Sequence, residues 1–71
     1  MVKFENGGIY YNKYAEIRVT RAYKRILHYK LDGISRSSDI HWTGNRKNPK
    51  HPIQYVIVPD GTRIYATNRK V

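Results

Sequence analysis

"RAYKRILHYKLDG", residues 21–33, decides the fold, because two templates compete for it. As a helix it would use Thr20 as N-cap, bury Ala22, Tyr23, Ile26, Leu27 and Leu31 along one stripe, and stop at Gly33. That template puts Lys30 on the stripe and Tyr29 off it. It also sets Arg21, Lys24 and Arg25 at the positive end of the helix dipole. As strands, Leu27, Tyr29 and Leu31 alternate with His28 and Lys30 and run into Asp32-Gly33, a two-residue hairpin turn before Ile34. "AYKR" then becomes the turn between two strands. The charges fit the strand reading better, so it is preferred.

The flanking sequence supports it. "YAEIRVTR" alternates Ala15, Ile17 and Val19 with Glu16, Arg18 and Thr20, the pattern of a half-buried strand with a charged outer face. "FENGGIYYN" sets Asn-Gly-Gly between Phe4 and a tyrosine-rich run and predicts a hairpin. "IQYVIVPDGTRIYATN" holds two β-branched, aromatic-rich runs around Pro59-Asp60-Gly61, a hairpin with a three-residue loop. "SRSSDIHWTGNRKNPKHP" has no clear period and is expected to be mostly loop, with Ser-Ser-Asp able to start one helical turn. The predicted class is a mainly β domain of about five strands, built from hairpins into a small sheet or partly open barrel. An α+β fold with one helix near residues 20–31 is the alternative.

Length and composition narrow the rest. A chain of 71 residues makes one small domain with a thin core and little room for a deep pocket. With no cysteine it has neither disulfides nor thiolate metal sites, and His28, His41 and His51 lack metal-ligand spacing. No metal or cofactor is expected, and a homodimer is the reinforcement left open. "MVKFENGG" has no apolar core of a signal peptide and the longest apolar run is "YVIVP", so a cytoplasmic protein without a membrane partner is expected.

Lys and Arg number 14 against 5 acids, a net charge of +9 at pH 7, beyond the magnitude of about 2–8 that keeps small domains soluble. The acids do not offset this locally. Asp32 and Asp60 precede glycines as turn formers, Asp39 follows two serines as a potential cap, Glu5 abuts "NGG", and only Glu16 lies in a periodic segment. Regular elements with an almost purely cationic exterior point to a polyanion partner, most commonly DNA or RNA.

Basic and aromatic residues are interleaved. Tyr10, Tyr11, Tyr14, Tyr23, Tyr29 and Tyr65 each stand within three positions of a Lys or Arg, and Trp42 within four. Rings stack on unpaired bases while neighbouring cations hold phosphates. Tyrosine also fills cores, and that role is expected for Tyr29 and Tyr55. "TGNRKNPKH", residues 43–51, reads as a cationic loop in which Arg46, Lys47 and Lys50 supply charge and two prolines limit the entropy lost on ordering. The candidate nucleic-acid-binding residues are Arg18, Arg21, Tyr23, Lys24, Arg25, Trp42, Arg46, Lys47 and Lys50.

No catalytic residue is expected: no histidine has a partner carboxylate at an evident spacing, Asp39-Ile40-His41 puts an acid and an imidazole on the same side of a strand, and no paired Glu/Asp cluster exists. "SSDIHWTGNRKN" followed by a hairpin ending "RIYAT" is similar to the last strands of the small microbial guanyl-specific ribonucleases, in which a strand acid and a late histidine do general base and acid work. Ser37 and Asp39 straddle the place of that acid here, and no histidine follows Tyr65. Three readings result, in order: a non-enzymatic nucleic-acid-binding protein, a small basic regulator or inhibitor docking on an acidic protein surface, and a minimal ribonuclease.

Overall fold

The computed structural model describes residues 2–44 and 52–71, and among these every regular element is a strand. β1 (Ile9–Tyr11), β2 (Glu16–Tyr23), β3 (Ile26–Leu31) and β4 (Ile34–Asp39) form an antiparallel sheet in that order, and β5 (His41–Thr43), β6 (Ile53–Ile57) and β7 (Arg63–Tyr65) form a second. No helix long and apolar enough to cross a membrane occurs among the described residues. The protein is a small mainly β domain of two unclosed sheets, and the alternative helix at 20–31 is absent.

Residues 21–33 are two arms of hairpins. β2 and β3 pair through Tyr23 and Ile26 across a two-residue loop, Lys24-Arg25, with Lys24 at φ 55°. β3 and β4 pair from Ile26↔Asp39 to Leu31↔Ile34 across Asp32-Gly33, whose φ values of 52° and 75° suit a primed turn. The loop at Pro59-Asp60-Gly61 also forms as expected: the Gly61 N–H donates to Val58 O at 2.8 Å, the Val58 N–H donates to Thr62 O at 3.0 Å, and Gly61 has φ 86°. This is a type I turn closed by a left-handed glycine.

Three expectations are corrected. The stretch from Ser35 to Thr43 is β4 and β5 rather than loop and helical turn, so the described residues hold seven strands where about five were expected. β4 lacks an apolar period because it is the last strand of its sheet and only part of it reaches the core; its register comes from the Asp32-Gly33 turn. The Asn6-Gly7 turn forms, but the chain then pairs with β2 instead of closing a hairpin on Phe4, with the Gly7 N–H donating to Val19 O and the Val19 N–H to Gly8 O. Phe4 instead enters the core edge-on to Tyr10, with ring centroids 4.8 Å apart.

The inner faces of both sheets share one core. Tyr10, Ile17, Val19, Leu27 and Tyr29 come from the larger sheet, Val56 and Ile64 from the smaller, and Phe4, Ile40, Val58 and Ala66 from the connections. The Tyr29 and Ser38 hydroxyls lie 2.7 Å apart, and the buried Gln54 side chain accepts the Phe4 N–H at 2.8 Å. Two devices shape the exterior. The β2–β3 register steps by one between Val19 and Arg21, so Thr20 is a bulge. β4 passes into β5 through the single buried residue Ile40, so one bent strand serves both sheets, a standard way of turning the corner between packed sheets.

Candidate nucleic-acid interface

Cross-strand partners share a face, so the registers map the uncovered side of the larger sheet. One row reads Ile9, Arg18, Lys30, Ser35 across the four strands. The next reads Arg21, His28, Ser37, with the bulged Thr20 beside it, and the third Tyr23, Ile26, Asp39. All of these are exposed except the half-buried Ile9. The bulge carries this arrangement. Ile17 and Val19 face inward, and strict alternation would send Arg21 and Tyr23 into the core and Ala22 out; the extra residue reverses the order, so that Ala22 packs against the core beside Leu27 while Arg21 and Tyr23 face solvent. The Asn6 side chain fixes the strand just past the bulge by accepting the Ala22 N–H at 2.8 Å.

This face thus joins Arg18, Arg21 and Lys30 with His28, and Lys24 and Arg25 lie at its hairpin end. The Arg21 guanidinium carbon sits 4.5 Å from the centre of the Tyr23 ring and the Lys24 ammonium 5.4 Å from it, so the half-exposed ring gathers two cations. Among the described residues the ion pairs are Arg69–Glu5 at 2.9 Å and Lys70–Glu16 at 3.0 Å. Two of the five acids are therefore engaged by cations of the C-terminal segment, and none is paired with Arg18, Arg21, Lys24, Arg25 or Lys30. Hydrogen bonding to Glu5 holds the Arg69 guanidinium above its ordinary pKa. A shallow polar depression lined by Thr20, His28, Ser35 and Ser37 lies between the cationic rows.

Of the sequence candidates, the structure brings Arg18, Arg21, Tyr23, Lys24 and Arg25 together. Trp42 stands apart: it is 42% exposed on β5, in register with Gln54 on the core side of the smaller sheet. Arg46, Lys47 and Lys50 lie outside the described residues. Lys30 and His28 were missed, although the two-residue turn at Asp32-Gly33 fixes the alternation that turns them outward.

A second feature was also missed. On the outer face of the smaller sheet His41, Tyr55 and Tyr65 are cross-strand neighbours. The His41 and Tyr55 rings stack at 5.2 Å and 21°, Tyr55 and Tyr65 follow at 5.3 Å and 40°, and the Arg63 guanidinium carbon lies 4.7 Å from the Tyr55 ring centre. Hydrogen bonding to Tyr65 and the nearby Tyr55 keep the Arg63 pKa raised. Tyr29 is buried as expected, but Tyr55 is half-buried in this outward pile and not in the core, because the chain enters β5 with Ile40 inward and His41 outward. In comparison with known proteins, the chain matches no family model, no curated protein and no solved structure.

Proposed function

We propose that this protein binds nucleic acid without catalysis, holding phosphates on the uncovered face of its larger sheet. The observation that carries the reading is the bulge at Thr20, which turns Arg21 and Tyr23 outward to join Arg18 and Lys30, cations that form no ion pair among the described residues although Glu16 and Asp39 share their face. A flat row of cations on a pleated sheet meets a phosphate backbone through point charges, and such contacts position the ligand without reading its sequence. His28 has Arg21 and Ser37 as its cross-strand neighbours and no carboxylate, which supports binding over acid–base cleavage.

The test is an amide chemical-shift titration with a short duplex and with a single strand of the same length. Shifts concentrated on Arg18, Arg21, Lys24, His28 and Lys30 support the proposal. Perturbations confined to other surfaces overturn it. Failure to bind either oligonucleotide, together with binding of the same face to a polyglutamate peptide, assigns the surface to an acidic protein partner instead.

A further inference from the structure

The geometry points to a second subsite: the His41 imidazole, at the open end of the Tyr65–Tyr55–His41 pile, is a seat for one unpaired base of a single strand whose phosphates lie on the cationic face. This rests on the nucleic-acid reading above and adds the ligand's strandedness.

The pile is built from one end only. Tyr55 is covered on both sides, by Tyr65 with Arg63 and by His41. His41 is exposed on β5, the end strand of its sheet, and among the described residues no other ring stacks on it. An aromatic ring held upright against Tyr55 and open on its other face is a preformed platform, so a base joining it meets little further ordering of the protein. Every base has such a face, so the seat tolerates any sequence. Bases of a duplex are already stacked on their neighbours, so the seat serves unpaired ones.

The bent strand connects this seat to the phosphate face. Ser38 and Ile40 turn inward, so Ser37, Asp39 and His41 form one outward line running from the larger sheet round the corner to the smaller. Steps of two residues are about 6.6–6.8 Å, so His41 lies about 13 Å along the line from Ser37, which neighbours His28. A few nucleotides cover that span. Asp39, the acid on the line, repels phosphate. A backbone crossing there swings away from the protein and leaves a base, not a phosphate, directed at the corner.

The experiment compares a thymidine 12-mer with an abasic strand carrying the same number of phosphates, by fluorescence anisotropy at fixed low salt. The wild-type protein is expected to prefer the thymidine strand by about 5- to 150-fold, the range for stacking one base. His41→Ala should erase the preference while keeping affinity for the abasic strand, which also shows that the variant is folded. His41→Phe should retain the preference. If the wild type binds both strands equally, or His41→Ala keeps the preference, the subsite is overturned and phosphate binding stands. If neither strand nor a duplex binds near 50 mM salt, where several phosphate contacts ought to be measurable, both readings fall together.

Discussion

Two turn residues show local chemistry acting in opposite directions. Lys24 occupies the left-handed region at φ 55° in the β2–β3 loop, a position where an L-residue is disfavoured by roughly 1–2 kcal/mol and glycine is not. Glycine loses about 0.5–1 kcal/mol more backbone entropy on folding. Lys24→Gly is therefore expected to raise stability by about 0.5–1 kcal/mol, seen as a higher urea midpoint at unchanged slope; a lower midpoint would contradict the turn geometry. Its lysine is better explained by charge at the hairpin end than by folding. Asp60 acts oppositely, by stabilising its turn. Its carboxylate accepts from the Thr62 hydroxyl and the Thr62 N–H, and these bonds hold its pKa below the ordinary value. Because the folded pKa is depressed, the stabilisation is present above the unfolded-chain pKa of about 3.9 and is lost as pH falls through the folded value. Thermal melts of wild type and Asp60→Asn should differ at pH 7 and converge toward pH 2. A gap that stays constant across that range would refute the assignment.

At the scale of elements, the hairpins were legible and the corrections to register were not. Asp32-Gly33 and Pro59-Asp60-Gly61 carry turn chemistry in the sequence itself, and the alternation of Leu27, Tyr29 and Leu31 names the inner face of β3. The bulge at Thr20 leaves no such mark. It is visible only in the pairing: Val19 faces Tyr29 and Arg21 faces His28, while the Gly7 N–H and the Asn6 side chain hold Val19 and Ala22 on either side of the extra residue. β4 was illegible for a related reason: a serine-rich edge strand takes its register from its neighbour, not from its own hydrophobic period. The aromatic pile was hidden behind it, since His41 faces outward only because Ile40 turns the corner inward. The N-terminal segment depends on a comparable long-range contact, the Phe4 N–H on the buried Gln54 side chain. Gln54→Met keeps volume and removes the acceptor, and is expected to cost about 1–3 kcal/mol. Hydrogen exchange provides the check, with faster exchange at Phe4 expected and unchanged protection there counting against the contact.

Over the whole molecule the charge distribution decides more than the core does. A domain of 71 residues carries +9, and the C-terminal Arg69 and Lys70 engage Glu5 and Glu16, pairs too exposed to add much stability. Their consequence is electrostatic: two acids are engaged by the C-terminal cations, and among the described residues no ion pair takes up the cations of the larger sheet. The most direct test of the proposed phosphate-binding face is the salt dependence of affinity for a short duplex. If Arg18, Arg21, Lys24, Arg25 and Lys30 each neutralise one phosphate, log K falls against log salt with a slope of about −0.9 × 5, or −4.5, steeper if further cations take part, and about −3.5 on single strands. Replacing Arg18 and Arg21 together by alanine should flatten the duplex slope by about 1.8 and weaken all sequences alike. A slope unchanged by that double substitution, or no binding near 50 mM salt, would contradict the account.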